Sequence, residues 1–322
     1  MPCYADQQKA YQASLIDHSV LFDGDRGGGV LRSEPRTYAL QDGRKNLYAP
    51  IREDVLRYFK VNKISWWGGK LPTANLLSSQ VACLNHLYPL RHDPELVLAL
   101  LNGVRNEFTE VLPIQCDKEP SYIAFEVVSK GNNLNESGSN RGAQCTSVDA
   151  LIYARHRSGA LWLIPIEWKF TERYYRGDKS SEGDPDGRGK TRLNRYCPLI
   201  DQSTQLIPLK EYKGSVYFQD PFYQLMRQTL WAEQIIRHKG TEILKADDFL
   251  HLHIIPSANL KLLAGPFVRS PQTMEETWRS CLKDPSKYMV LDPQKLLAPL
   301  ADRCSDLMNY LKQRYWQMPS KN

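Results

Sequence analysis

Apolar and polar residues alternate most clearly over residues 146–172. The even-numbered positions from 162 to 170 are all large and apolar, namely Trp162, Ile164, Ile166, Trp168 and Phe170. The odd-numbered positions begin with leucines and end with Glu167 and Lys169. Because successive strand residues point to opposite faces, one face is apolar throughout and the other becomes charged at one end. With the polar stretch 155–159 between its halves, the pattern predicts a β-hairpin.

The turn of this hairpin sets which side chains face each other. A turn centred on Ser158 places Asp149 opposite Glu167, since each lies nine residues from the centre. Their Cβ atoms would then be about 5 Å apart. A shift of one residue would place Asp149 in the apolar row, so the polarity pattern favours this register.

Two carboxylates at that distance repel each other, and a divalent cation removes the repulsion. Carboxylate oxygens and water are the ligands that Mg²⁺ prefers. Lys169 lies two residues beyond Glu167 on the same face, where its ammonium group can orient a water or stabilise a developing oxyanion. Two acids and a lysine at one sheet edge indicate metal-assisted hydrolysis of a phosphodiester.

The rest of the chain reads as further helices and strands. Apolar spacing and capping residues predict helices over residues 51–59, 73–87, 94–111 and 220–239, a final amphipathic helix from 292, and strands over 122–128 and 249–255. The first 50 residues are polar and are expected to wrap the surface, and the chain after 256 is expected to be helical. This order predicts one α/β domain over 1–322, with a mixed-sheet core at 94–256, an N-terminal extension (1–93) and a C-terminal helical extension (257–322).

Composition narrows the class of protein. Hydrophobic residues make up 42% and charged residues 24%, which predicts a packed core. The net charge of +6 is compatible with a polyanionic partner. Seven scattered cysteines without a CxxC motif argue against a disulfide framework or structural zinc and favour a reducing cytoplasm. A signal peptide and a membrane-spanning apolar run are both missing from the sequence, so no membrane partner is expected.

Asp149, seventeen further residues and then Glu167-Trp168-Lys169 resemble the D…(D/E)xK signature of the PD-(D/E)XK, or restriction-endonuclease-like, nuclease superfamily. Other segments resemble one bacterial family of restriction-endonuclease-like proteins: Ser78-Ser79-Gln80 with Asn85, Phe125-Glu126, Arg141-Gly142 before Thr146-Ser147-Val148-Asp149-Ala150, and Tyr223-Gln224-Leu225-Met226-Arg227. The resemblance covers about residues 75–240.

The resemblance implies an αβββαβ core and cleavage of DNA that depends on Mg²⁺ or Mn²⁺. Asp149 and Glu167 would hold the metal, helped by a main-chain carbonyl near Trp168, and Lys169 would position the attacking water. Gln224 resembles the supporting glutamine of RecB-like nucleases, although the tyrosine expected four residues later is replaced by Gln228.

The position of an additional acid is open. Glu126 lies within an apolar strand, where a carboxylate needs a partner, so a role in the site and a structural ion pair are both compatible with it. Glu107 and Glu110 on the preceding helix, and Glu136 in the following loop, are alternatives.

Candidate DNA contacts lie in two segments. Ser79 and Gln80 fall near the middle of the helix predicted over 73–87, either on a solvated face or near the substrate. Residues 173–198 are polar and are expected to be irregular. They carry seven basic and four acidic residues with three interleaved tyrosines, so that Arg173, Arg176, Lys190 and Arg192 could contact phosphates. A solvated loop is the alternative.

Three further patterns have alternatives of their own. Trp66-Trp67 could stack on bases or pack internally. His251 and His253 could bind zinc, but ordinary packing or site lining is favoured because a third ligand is not evident. GDPDGRGKT at 183–191 misses the phosphate-binding loop spacing by one residue, and we reject it.

Two other functions are rivals to a nuclease: a DNA-binding protein that does not cut, and a nucleotide-dependent enzyme using Gly189-Lys190-Thr191. A homodimer is also considered.

Overall fold

The computed structural model describes residues 2–67, 69–116, 119–136, 145–174, 177–265, 267 and 270–317. Within these ranges the helices are α1 (Tyr4–His18), α2 (Arg52–Val61), α3 (Ser79–Leu87), α4 (Pro94–Val104), α5 (Arg188–Asp201), α6 (Phe222–Arg237), α7 (Leu260–Leu263), α8 (Met274–Arg279), α9 (Pro293–Leu297) and α10 (Ser305–Leu311). The strands are β1 (Val30–Leu31), β2 (Glu34–Pro35), β3 (Phe108–Leu112), β4 (Ile114–Gln115), β5 (Pro120–Ser121), β6 (Ile123–Val127), β7 (Val148–His156), β8 (Leu161–Trp168), β9 (Asp248–Phe249), β10 (His251–Ile254) and β11 (Tyr288–Leu291).

A mixed sheet forms the centre of the fold. Its strands lie in the order β11-β10-β8-β7-β3, with β6 also paired to β7 and β9 to β8. Strands β3, β6 and β8 run antiparallel to β7, whereas β10 runs parallel to both β8 and β11. The predicted α/β class with a mixed central sheet is therefore confirmed.

The hairpin β7–β8 has the predicted register. Its paired residues run from Ala150↔Ile166 to Arg155↔Leu161, which centres the turn on Ser158. Even-numbered side chains such as Ile152 and Ile164 belong to one hydrophobic core, which α2, α3 and α4 cover. Odd-numbered side chains such as Leu163 belong to a second core under α5 and α6. Helices therefore cover both faces of the hairpin.

Two predicted helices have different bounds in the structure. The helix predicted over 94–111 ends at Val104, and Phe108–Leu112 forms β3 against β7. The Asn102 side chain bonds both the N–H and the carbonyl of Phe108, and so stabilises the turn between α4 and β3. The helix predicted over 73–87 begins at Ser79, because the Ser78 hydroxyl caps it by accepting the Val81 N–H.

The expectations for both extensions were partly wrong. Residues 1–50 include helix α1, which buries Tyr4 and Ile16, instead of only wrapping the surface. The C-terminal extension contributes strand β11 to the central sheet, and the final helix is divided into α9, α10 and a π-helical turn.

Two expectations around the basic segment were also wrong. Residues 173–198 are not irregular throughout, because α5 begins at Arg188 and buries Tyr196 and Ile200. Asp220 does not cap α6; its carboxylate pairs with Lys179 at 3.0 Å, and α6 begins at Phe222 without a side-chain cap.

In the described ranges, none of the helices combines the length and the apolar character that crossing a bilayer requires.

Candidate active site

Three acidic side chains occupy one row across the sheet. Phe125↔Ala150 and Val127↔Val148 are paired between β6 and β7, so Glu126 lies opposite Asp149. The pair Ala150↔Ile166 ends the β7–β8 ladder, and continuing its register by one residue sets Asp149 opposite Glu167. The row therefore joins three strands at the end of the hairpin away from its turn.

Lys169 and Glu167 form a buried ion pair at this end of β8. The Lys169 ammonium lies 2.5 Å from Glu167 Oε1, and the side chains are only 8% and 1% exposed. Helix α6 holds both groups, since Gln224 Oε1 accepts from Lys169 Nζ at 2.8 Å and the Gln228 amide donates to the Glu167 carboxylate. Residues four apart lie on the same face of a helix, which is why both glutamines reach the sheet.

Asp149 is half-buried and binds the backbone of the facing strand. Its Oδ2 accepts the Trp168 N–H at 2.7 Å. Burial, and then the carboxylates of Glu167 and Glu126, raise the pKa of Asp149 well above its usual range, and Lys169 offsets only part of this. Burial also acts on Lys169, but the nearby carboxylates, chiefly Glu167, outweigh it and raise the pKa of the ammonium group. The carboxylates of this row therefore stabilise additional positive charge placed next to them.

Glu126 has an unusual backbone conformation. Its φ of 51° lies in the left-handed region, which is uncommon for a residue with a side chain. Gln80 Nε2 donates to its Oε1 at 2.6 Å, and the Ser147 hydroxyl donates to its Oε2 at 3.3 Å. The half-buried carboxylate of Glu126 is thereby held beside Asp149 by neutral donors.

The other candidate acids lie elsewhere. Glu107 pairs with Arg105, and Glu110 with Arg155, at the opposite end of the hairpin, where Phe108 pairs with His156. Both are therefore outside the acidic row.

Glu136 is buried and braces the chain that leads into β7. Its carboxylate accepts from the N–H and the hydroxyl of Thr146, each at 2.6 Å. The Tyr196 hydroxyl and the Arg227 guanidinium donate to it as well, at 2.6 Å and 3.0 Å. These bonds give Glu136 a structural role between α5, α6 and the hairpin.

The predicted DNA contacts are dispersed. Ser79 lies half-buried on the first turn of α3, and Gln80 is buried against Glu126. The Arg173 guanidinium donates to the Cys3 sulfur at 3.5 Å. Arg176, like the quoted Arg141-Gly142, lies outside the described residues.

Helix α5 carries the remaining two predicted contacts. The exposed Lys190 pairs with Asp186 at 2.7 Å, and Arg192 pairs with Glu182 while donating to the Lys179 carbonyl at 2.9 Å. The structure therefore brings Gln80 to the acids, whereas Lys190 and Arg192 pair with acids of their own segment.

Gln228 and Ser147 were missed by reasoning from the sequence, whereas His253 was assigned to ordinary packing or site lining. Gln228 was regarded only as a departure from the expected tyrosine, although its spacing of four from Gln224 could have indicated a second contact with β8. His253 pairs in register with Glu167, and its Nδ1 lies 2.9 Å from the Tyr288 hydroxyl. Burial, then Lys169 and His251, lower the pKa of His253 well below its usual range, so the ring is neutral.

A family model for proteins described as "Restriction Endonuclease associating with ARP" matches residues 7–316. The chain belongs to this restriction-endonuclease family. Searches of curated proteins and of solved structures gave no match. The resemblance to a restriction-endonuclease-like family is confirmed, and the family match extends well beyond residues 75–240.

For a restriction-endonuclease family, the question is whether the acidic row suits a metal ion. Among the described residues, no group of three or more His, Cys, Asp or Glu side chains is arranged to hold one, which also leaves His251 and His253 without a third ligand. Mg²⁺ usually keeps several waters and binds through one or two carboxylates. Asp149 and Glu167, in a row with excess negative charge, fit such a site.

The glycine-rich segment of this family member does not form a nucleotide-binding loop. Gly189-Lys190-Thr191 lies at the start of helix α5. Residues 177–187 before it form no β-strand, however, and Lys190 is paired with Asp186. The strand–loop–helix arrangement that cradles phosphates is therefore missing from this part of the chain.

Proposed function

We propose that this restriction-endonuclease family member is a metal-dependent nuclease of the PD-(D/E)XK type that hydrolyses phosphodiester bonds in DNA. The supporting observation is the row of Glu126, Asp149 and Glu167 with Lys169 beside it. Asp149 and Glu167 would hold Mg²⁺ or Mn²⁺. When bound, such a cation neutralises phosphate charge and lowers the pKa of a coordinated water.

The side chains around Lys169 prepare it for a positioning role. The Lys169 ammonium has three N–H donors, and contacts to Glu167 and Gln224 fix its direction. A remaining donor can hold the attacking water by an oxygen lone pair. Because the neighbouring carboxylates keep the group protonated, it also opposes the negative charge that develops on the phosphate.

Access to the row is from the side of Asp149 and Glu126. Both are half-buried, whereas Glu167 and Lys169 are covered by α6. A phosphate would therefore approach the exposed edges of Asp149 and Glu126. Four basic residues stay predictions as DNA contacts, namely Arg173, Arg176, Lys190 and Arg192. A homodimer and a cytoplasmic location also stay predictions. The family description names an association with ARP, which we extend to this chain as a proposed partner.

The test is cleavage of supercoiled plasmid by the full chain with Mg²⁺, Mn²⁺ or EDTA. We expect nicking with either metal, none with EDTA, and a loss of about 10²- to 10³-fold in Asp149→Asn, the size of effect seen when one transition-state contact is removed. Asp302→Asn, which changes an exposed acid in the same way, is the matched control and is expected to cut normally.

One observation favours a second candidate, a DNA-binding protein that does not cut. Glu167 and Lys169 are buried and satisfy each other, which is also the arrangement of a structural ion pair. A wild-type chain that binds the plasmid but leaves it intact with both metals would support this candidate and refute the nuclease.

A further inference from the structure

The tight turn Trp66–Gly69 presents one tryptophan to the core and one to solvent. The Gly69 N–H donates to the Trp66 carbonyl at 3.3 Å across this turn. Trp66 is buried and stacks on Phe59 with ring centroids 3.8 Å apart. Trp67 is 75% exposed. A single exposed apolar side chain does not by itself mark a contact surface. An exposed indole does, however, offer an aromatic face on which a nucleobase can stack.

The backbone of this turn is linked to the acidic row through one side chain. The Trp67 N–H donates to Gln80 Oε1 at 3.2 Å, and the other end of the same amide donates to Glu126 at 2.6 Å. A single glutamine side chain therefore connects the backbone of Trp67 to an acid opposite Asp149. A molecule whose phosphate lies at the row could reach the exposed indole.

The stretch of sequence that contains Trp67 carries basic residues but no acidic ones. Residues 55–92 contain no Asp or Glu. Lys60, Lys63 and Lys70 in this stretch are exposed and have no acidic partner among the described residues. Lys63 and Lys70 lie four and three residues from Trp67. Even in a fully extended chain, the Cα atom of each lysine would be within about 14 Å of the Trp67 Cα atom. An indole flanked by cations suits a nucleobase attached to phosphates.

We propose that Trp67 stacks on an unpaired nucleobase, so that the preferred substrate is DNA with a single-stranded or distorted segment next to the cleaved bond. This inference rests on the proposed function and specifies its substrate class. A base inside a duplex already has both faces stacked, and removing it costs a few kcal/mol. Stacking on an aromatic side chain returns only about 1–3 kcal/mol, so perfect duplex gains nothing from Trp67.

The experiment measures binding separately from cleavage. The full chain carrying Asp149→Asn is titrated into fluorescently labelled single-stranded DNA, perfect duplex and duplex with an unpaired bulge, and anisotropy gives each Kd. Adding Trp67→Ala is expected to weaken binding of the single-stranded and bulged DNA by about 5- to 150-fold, which is the stacking energy converted to affinity. Binding of perfect duplex is expected to stay constant.

Two further variants identify stacking as the cause. Trp67→Phe keeps an aromatic face and is expected to restore most of the affinity. Leu71→Ala removes another exposed apolar side chain from the same segment and is expected to change nothing.

Equal losses on all three DNAs, no loss on any, or no binding of DNA at all would each overturn the proposal. The outcome is separable from that of the nuclease test. A wild-type chain that cuts DNA while its binding ignores Trp67 refutes only the stacking role. A chain that never cuts, but binds unpaired DNA through Trp67, refutes only the nuclease.

Discussion

At the scale of single residues, Asp149 combines partial burial with two acidic neighbours. These surroundings raise its pKa well above the ordinary value of 3.8. The folded chain therefore binds a proton more tightly than the unfolded chain, so ionised Asp149 destabilises the fold. The free energy of unfolding should fall as pH rises from about 3.8 to the raised pKa, and this loss then persists at higher pH.

Asp149→Asn removes this penalty, because the amide oxygen can still accept the Trp168 N–H. In EDTA we expect the variant to be more stable than wild type at pH 8, with the difference shrinking as pH approaches 4. Urea denaturation at several pH values measures it. A difference that is constant with pH would show that Asp149 is not electrostatically strained. Adding Mg²⁺ should stabilise the wild type more than the variant.

Glu167 and Lys169 give a second prediction at this scale. Removing one member of a buried ion pair leaves the other charge unpaired, so Lys169→Ala should lower the free energy of unfolding by about 3–5 kcal/mol. The double variant Glu167→Gln/Lys169→Met should recover most of that loss, since both charges disappear together. Urea denaturation at pH 7 compares them. Lys261→Ala, at an exposed lysine, should stay within about 0.5 kcal/mol of wild type. Additive losses in the double variant would contradict the pairing.

At the scale of elements, the hairpin was predictable and its neighbours were less so. Parity and the position of the turn together predicted the register of β7–β8, because a one-residue slip would bury Asp149 in the apolar row. The contact of Glu126 with Gln80 depends on a positive φ that no local pattern signals. Strands β3 and β11 are short and pair only with distant segments. The local sequence of β3 therefore reads as the end of a helix, and that of β11 as part of a helical extension. Helix α5 lies within a polar segment. Its few apolar residues do not predict a helix from the sequence, and their role is clear only from the core that they join in the structure.

Strand β6 and the loop after it allow the additional acid to be tested. Glu126→Gln keeps a side chain that Gln80 and Ser147 can still contact, so the fold should change by less than about 1 kcal/mol. Its plasmid cleavage rate should fall clearly. Glu136→Gln weakens bonds to Thr146, Tyr196 and Arg227, and should lower the free energy of unfolding by about 1–3 kcal/mol. Measuring plasmid cleavage and urea denaturation for both variants distinguishes a residue of the site from a structural residue. A stable, fully active Glu126→Gln would remove that residue from the site.

At the scale of the whole molecule, the extensions are parts of the fold. Residues from Tyr4 to Tyr315 share the core that covers one face of the hairpin. The Asn85 amide on α3 donates to the hydroxyls of Tyr310 and Tyr315 at 3.0 Å and 2.8 Å. Helix α3 in turn carries Gln80. The N-terminal region, the C-terminal region and the acidic row therefore depend on one another.

A chain shortened to residues 94–256, the core predicted from sequence, is accordingly expected not to fold. It would lose α2, α3 and β11 and expose one face of the hairpin to water. Near-ultraviolet circular dichroism should show no fixed aromatic environment, and urea should give no cooperative transition, in contrast to the full chain. A sigmoidal transition with native-like aromatic signals would show that the core is autonomous.

The backbone at position 126 has a consequence for how this protein could be engineered. A left-handed φ at a non-glycine residue costs on the order of 1–3 kcal/mol, and glycine relieves that cost. Laboratory evolution that rewards only heat tolerance should therefore drift toward glycine at this position and discard the carboxylate beside Asp149. Variants that gain thermal stability in this way would lose a carboxylate of the site. A screen for thermostable enzymes must therefore measure catalytic activity together with the melting temperature.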